Sequence, residues 1–345
     1  MKKLFLLSVL FVLALSAKSQ TPLIITEGES TIVYALPQTE LCIQVETEKT
    51  TVKPGTFYRY SERYLAAKNV ITEEKTTYRL KSVKVNPHAV PDPSRTYSYI
   101  PSGSQPVHLT INAKGILCGV NVPLEKEILS AATPVLLLKD NLSPSTLLPL
   151  GEEYMMAGSE AKLAEGAAKQ IFRIRESRLS LLTADQDKLP ADGDSFKSML
   201  DGMNAMESQL TELFTGKTTR EVQVQTIYLT PVVAVANDVL FRLSALKGLV
   251  ASDDLSGTPY YISIKPTEIR KSGKESKSGN EKTGIYSVLP SATKITIGDG
   301  VNTVAAEQFL IPQFGITIPL SESLFKQPAT KVFIDSQTGQ LLKVE

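Results

Sequence analysis

Apolar and polar residues alternate along much of the chain's first third, the period-two signature of half-buried strands. In "TIVYALPQTELCIQVETEKTT" the alternation runs from Leu41 to Glu46, and "TTYRLKSVKV" repeats it through Tyr78, Leu80, Val83 and Val85. "PVHLTINAKGILCGVNV" predicts strand, turn and strand, with Asn112 to Gly115 as the turn. Between these, "NPHAVPDPSRTYSYIPSGSQP" carries five prolines and reads as an extended excursion or long loop, not a helix. A connector of low periodicity follows, from about Pro123 to Gly151.

The period then changes. Ala164, Ala167, Ala168, Ile171, Ile174 and Leu181/Leu182 recur near helical spacing, with Glu165 and Lys169 as an exposed i,i+4 pair. Pro190 and Gly193 break the run. A second stripe follows through Phe196, Met199, Leu200, Met203, Met206, Leu210, Leu213 and Phe214; Asp194 or Ser195 suits its N-cap and Gly216 its end. The pattern predicts a helical hairpin from about Ser159 to Gly216. Strand patterns return in "REVQVQTIYLTP", "VLFRLS", "YYISIKP", "KITIGDG" and "FGITIPL", and "KVFIDSQTGQLLKVE" predicts a hairpin around Thr338 and Gly339. The expected fold class is α+β: two β-rich, mainly antiparallel parts joined by a central helical hairpin. The expected divisions are residues 1–19, 20–150, 151–217 and 218–345. "LTINAKGILCGV" and "VFIDSQTGQLLKV" echo one another, either as an old duplication or because similar hairpins share turn chemistry.

The N-terminus alters the setting. Met1-Lys2-Lys3 is followed by an apolar run, Leu4 to Leu15, too short to span a bilayer and suited to the core of a secretory signal. Ala17 and Ser19 place small residues where a signal peptidase reads, so cleavage is expected after Ser19. No cysteine follows the run to carry a lipid anchor, and no second apolar run approaches membrane length. The expected location is outside the cytoplasm, in the periplasm or at the outer membrane. Loss of Lys2, Lys3 and Lys18 with the leader leaves 34 basic against 36 acidic side chains, a balance that gives no general attraction to nucleic acid. Tryptophan is absent, although 12 tyrosines remain for stacking. Cys42 and Cys118 both lie in strand patterns, and an exported chain permits a disulfide between them; the alternative is two separate buried thiols.

"KPGTFYRYSERYLAA", Lys53 to Ala67, concentrates aromatic rings and arginines. Helical spacing puts Phe57, Tyr60, Tyr64 and Leu65 on one face, which favours a short helix packed on a sheet over a ligand platform. Here a resemblance applies. "YALPQTELCIQVETEKTTVKPGTFYRYSERYLAAKNVI", "IFRIRESRLSLLTADQDKLPADGDSFKSML", "QFGITIPL" and "TGQLLKVE" are similar to an exported Bacteroidetes family, domain of unknown function 4831, over nearly the whole chain after the leader. The resemblance implies a signal-bearing envelope protein. It assigns no activity, substrate or site, and no functional residue carries over.

Local chemistry is sparse. "GDS", Gly193 to Ser195, resembles an esterase nucleophile block, but it opens a helix and no histidine follows His108. "GKT", Gly216 to Thr218, closes a helix, whereas a phosphate loop opens one. "DQDKLPADGD", Asp185 to Asp194, has Leu189 and Pro190 where a calcium loop needs an oxygen ligand and a glycine. His88 and His108 have no ligands at metal spacing. No catalytic, cofactor or metal residue is assigned. Candidate contacts for a ligand or partner are the Arg173, Arg175 and Arg178 cluster, the tyrosines Tyr97 and Tyr99, the basic stretch Arg270 to Lys282, and the Met199–Met203–Met206 stripe. The alternative for the arginines is a solvated face paired with Glu176 and the inter-helix acids. The functional expectation is a non-enzymatic envelope protein that binds or scaffolds, with an envelope protein or surface glycan as partner. The alternatives are a glycan- or peptide-directed hydrolase using carboxylates and a carbohydrate-binding module.

Overall fold

The computed structural model describes residues 25–26, 29–100, 107–123, 156, 158–183, 193–267, 283–325 and 330–345. In chain order these form β1 (Ile25–Thr26), β2 (Glu29–Ser30), β3 (Ile32–Lys53), α1 (Ser61–Leu65), β4 (Lys75–Tyr99), β5 (Leu109–Ile111), β6 (Leu117–Val120), α2 (Glu160–Leu182) and α3 (Gly193–Thr215). They continue as β7 (Lys217–Leu229), β8 (Val235–Ser244), β9 (Gly248–Val250), β10 (Thr258–Pro266), β11 (Tyr286–Gly298), β12 (Thr303–Pro319), β13 (Val332–Ile334) and β14 (Leu341–Val344). The fold is α+β, and every ladder between named strands is antiparallel.

Besides the small β1–β2 pair, three sheets form: β4-β3-β7, β12-β11-β10-β8-β9 and β14-β13-β6-β5. The first two face each other across a core of Leu41, Ile43, Val45, Val83, Val85, Phe241, Ile262, Ile264, Ile295, Ile297, Ile311 and Phe314. These are the inward positions that the period-two pattern marks, so burial of one face of each sheet drives the sandwich. The third sheet closes a second core around Tyr34, Leu36, Leu117, Val120, Ile285, Val288, Val332 and Ile334.

Two of the three sheets take strands from both sides of the helical hairpin. β7 pairs with β3, and β13 pairs with β6. The expected β-rich parts therefore do not each keep their own sheets. The hairpins whose sequences echo one another, β5–β6 and β13–β14, lie side by side. Each is tied to a long strand in the same way: Ala35 N–H donates to the Gly115 carbonyl at 2.9 Å, and Val288 N–H donates to the Gly339 carbonyl at 2.7 Å. Gly115 (φ 86°) and Gly339 (φ 71°) are both left-handed, which glycine adopts without strain.

From Asn86 to Tyr99 the proline-rich stretch is strand, since β4 continues to Tyr99 paired with β3; residues 101–106 lie outside the described residues. Prolines leave gaps in the ladders, and the register shifts between Ala35 and Pro37 and between Leu289 and Ser291. Two side chains bind the backbone across these bends. Arg95 donates to the carbonyls of Pro37 (2.8 Å) and Pro312 (3.1 Å) and to Asp92 Oδ2 (2.6 Å). Gln313 accepts from Thr39 N–H at 2.9 Å and donates to the carbonyls of Thr39 (2.8 Å) and Pro231 (3.1 Å).

The helices form the predicted hairpin. Ser159 caps α2 by accepting from Lys162 N–H, and Gly216 (φ 88°) closes α3. Ala164, Ala167, Ala168, Ile171 and Ile174 of α2 meet Leu210 and Phe214 of α3, with Met203 and Met206 packed against them. Leu182, expected on the inner stripe, is exposed. The aromatic stretch completes this third core: Phe57 is buried against Phe214, with ring centroids 5.5 Å apart, and Tyr60, Tyr64 and Leu65 pack beside it. The packing expectation holds, but the surface it packs on is the helical hairpin and not a sheet. Among the described residues no helix is long and apolar enough to cross a membrane.

Candidate functional site

The residues that the sequence singles out as possible contacts fall mainly into structural roles. Arg175 donates to Glu207 Oε1 of α3 at 2.6 Å, and Arg178 donates to Glu207 Oε2 and to Asn204 Oδ1 at 2.7 Å. Two guanidinium groups thus share one carboxylate across the hairpin, and the partner is Glu207 where Glu176 and the inter-helix acids were expected. Burial raises the Glu207 carboxyl, but hydrogen bonds from Arg175 and Arg178 outweigh it and hold the group below the usual range. Arg173 lies exposed on α2.

Tyr97 and Tyr99 are half-buried against the second core and form no exposed platform. Tyr97 lies between Tyr34 (5.9 Å) and Tyr286 (4.1 Å) in a stack of rings. The Tyr34 hydroxyl donates to the Gly284 carbonyl at 2.8 Å and accepts from Tyr286 N–H at 2.9 Å. Cys42 on β3 and Cys118 on β6 belong to different sheets and both are thiols, so the permitted bridge is not formed. His88, on β4, and His108, just before β5, are both exposed. Asp185 to Asp192, the connector beyond Pro123 up to Gly151, and Arg270 to Lys282 lie outside the described residues. Among the described residues no group of three His, Cys, Asp or Glu could hold a metal ion.

A cavity of about 300 Å³ opens on the five-stranded sheet. β10 and β11 turn Ile262, Ile264, Ile295 and Ile297 into the core, so Tyr261, Ser263 and Thr296 project to the other face. Ser263 is directly opposite Thr296, and Tyr261 is opposite Gly298. Asn237 from β8, Ile297 and Gly298 of β11, Gly300, Val301 and Asn302 from the β11–β12 turn and Thr303 at the start of β12 complete the lining.

Three departures from regular strand geometry shape this hollow. β10 slips register against β8 on either side of Tyr261 and Ile262, between Tyr260 and Tyr261 and between Ile262 and Ile264. β11 slips against β12 between Ile297 and Gly298. Asn237 has φ 58°, an uncommon conformation for a residue with a side chain. Its backbone N–H donates to Ser263 Oγ at 3.1 Å, and Ser263 Oγ donates back to Asn237 Oδ1 at 2.9 Å. Such bulges re-aim side chains, and here they cluster around one hollow.

The turn is equally fixed. A Cβ on Gly298 would lie 2.3 Å from the Asn302 carbonyl oxygen, so only glycine lets the turn fold back. Asp299 Oδ1 accepts the N–H groups of Asn302 (2.7 Å) and Val301 (2.9 Å). Those backbone bonds, Asn302's first, hold the Asp299 carboxyl below its ordinary range. Periodicity does not reveal this site, because "YYISIKP" and "KITIGDG" look like plain strands. The one local signal is "GDG", a turn motif that carries no ligand chemistry of its own.

The architecture defines an antiparallel α+β sandwich with an appended helical hairpin and a small neutral trough on one outer sheet face. The chain belongs to the family described as "Domain of unknown function (DUF4831)", which it matches over residues 30–342. No curated protein and no solved structure matches it.

Proposed function

We propose that this chain is an exported cell-envelope protein that works by binding or scaffolding, with the outer-face trough as its recognition site. One observation carries the reading: the trough presents amides, hydroxyls and one tyrosine ring beside the apolar Ile297 and Val301, and no carboxylate or histidine lines it among the described residues. Such a lining orients a ligand by hydrogen bonds. General acid–base chemistry by a carboxylate or an imidazole would ask for such a group within reach of the reacting atom. The leader-like start, Met1 to Ser19, supports export, and removal of that segment would leave Gln20 first.

The test has two arms. Intact mass of the chain recovered from the envelope fraction should correspond to a start at Gln20; a full-length chain in the cytoplasm would refute export. Mild crosslinking in cells should join the wild type to a recurrent envelope component. Thr296→Trp, which fills the trough from an outward position, should lose that component while melting like wild type. Equal capture by both would refute the trough as the recognition site.

A further inference from the structure

The trough continues along the sheet into a pair of like charges. One rung beyond Ser263 and Thr296 on the same outward face, Lys265 of β10 lies directly opposite Lys294 of β11. Both are exposed. Two residues along a strand is about 7 Å, so this pair is the next outward rung beyond the lining of the hollow. Like charges directly opposite one another in an antiparallel pair cost stability. Nothing described on this face offsets them: the residue opposite Lys294 on β12 is Gln308, and among the described residues no carboxylate pairs with either lysine. The outward face therefore joins a pair of lysines to a neutral hollow of hydroxyls, amides, the Tyr261 ring and Val301.

We propose that this site takes an acidic sugar, a single polyhydroxylated ring bearing a carboxylate or phosphate. Lys265 and Lys294 receive the anion. Ser263, Thr296 and Asn302 bond the ring hydroxyls, and Tyr261 offers a ring face to the C–H side. A volume near 300 Å³ is at the small end of ligand pockets and suits one ring, not an oligosaccharide buried along its length. The inference rests on the binding function proposed above and names its ligand class.

Calorimetric titration of the chain with glucuronate, galacturonate, glucose 6-phosphate, glucose and galactose tests it. At least one acidic sugar should bind about tenfold more tightly than its neutral counterpart, as charge-assisted bonds are roughly twice as strong as neutral ones. The carboxylate and phosphate arms tell the two anions apart. Salt at about 0.5 M should erode the preference, because the lysines are solvent-exposed. Lys265→Met with Lys294→Met should abolish the preference and leave the melting temperature unchanged or higher. Ser263→Ala should weaken acidic and neutral sugars alike. A preference that survives the double lysine variant overturns the proposal, as does failure of every acidic sugar to bind better than glucose. If no sugar binds while Thr296→Trp still abolishes envelope capture, the acidic-sugar assignment falls and the binding function stands.

Discussion

Arg95 shows how much one side chain can hold. Its guanidinium is largely buried and spans three acceptors on β3, β4 and β12, each beside or between prolines that interrupt the ladder. Arg95→Met would strand a buried carboxylate and two carbonyls. The expected loss is about 3–5 kcal/mol, read as a fall in the urea midpoint. Asp92, its partner, is pulled two ways: burial raises its carboxyl, while the Ser94 hydroxyl, Arg95 and the Ser94 N–H together lower it below the ordinary range. A depressed folded-state value means that the stabilisation is complete above the unfolded aspartate value of about 3.9 and drains away as pH falls below it. Between pH 6 and pH 3 the wild type should therefore lose stability more steeply than Asp92→Asn; parallel slopes would show that this carboxylate does not contribute. Nothing local in "PDPSR" announces the role, because the carbonyls that Arg95 reaches are distant in sequence.

At the scale of elements, the helical hairpin was legible and its docking was not. Its stripes repeat at helical spacing, and a serine and a glycine mark its ends, so local chemistry suffices to draw it. Where it sits depends on close approaches. Gly55 passes so near the end of α3 that a Cβ would lie 2.3 Å from the Leu213 carbonyl oxygen and 2.5 Å from that of Glu212. Phe57 N–H donates to the same Leu213 carbonyl at 2.6 Å, and the Ser61 hydroxyl donates to the Phe214 carbonyl at 2.6 Å, so the aromatic segment caps the last turn of α3. Gly55→Ala should cost about 1–3 kcal/mol by forcing the segment off the helix. Phe57→Ala should cost about 3–5 kcal/mol by emptying the hairpin core. Thermal unfolding checks both, and hydrogen exchange should show the extra opening concentrated in α2 and α3. An unchanged melt for Gly55→Ala would mean that the close approach relaxes freely.

Over the whole molecule, the same construction occurs twice. A long antiparallel hairpin, β3–β4 or β11–β12, bends at a proline-marked register shift and receives a short hairpin, β5–β6 or β13–β14, through one equivalent backbone bond. The short hairpins then join through β6 and β13 into a shared sheet. Fragments 20–150 and 218–345 each lack strands that complete their sheets, and Leu117, Val120 and Val332 would lose their burial. Expressed alone, each should lack a cooperative melt. Chains 20–216 and 217–345 produced together should recover one, since β7 and β13 then find β3 and β6. A fragment that melts cooperatively by itself would show that the halves are independent domains.

By itself the sequence determined what local periodicity encodes. Apolar faces at period two and near period 3.6, turns placed by Asn112, Gly115 and Gly339, the helix ends and the leader-like start were all readable, because each depends on a few neighbouring residues. Tertiary structure alone decided which strands share a sheet, that the prolines of β4 lie within a strand, that Tyr97 and Tyr99 pack half-buried against the second core, and that Arg175 and Arg178 meet Glu207. It also decided the trough. Tyr261, Ser263 and Lys265 come from one strand, Thr296 and Lys294 from another, and Asn237 from a third. Only strand register brings them onto one face, and register is set by burial on the opposite face.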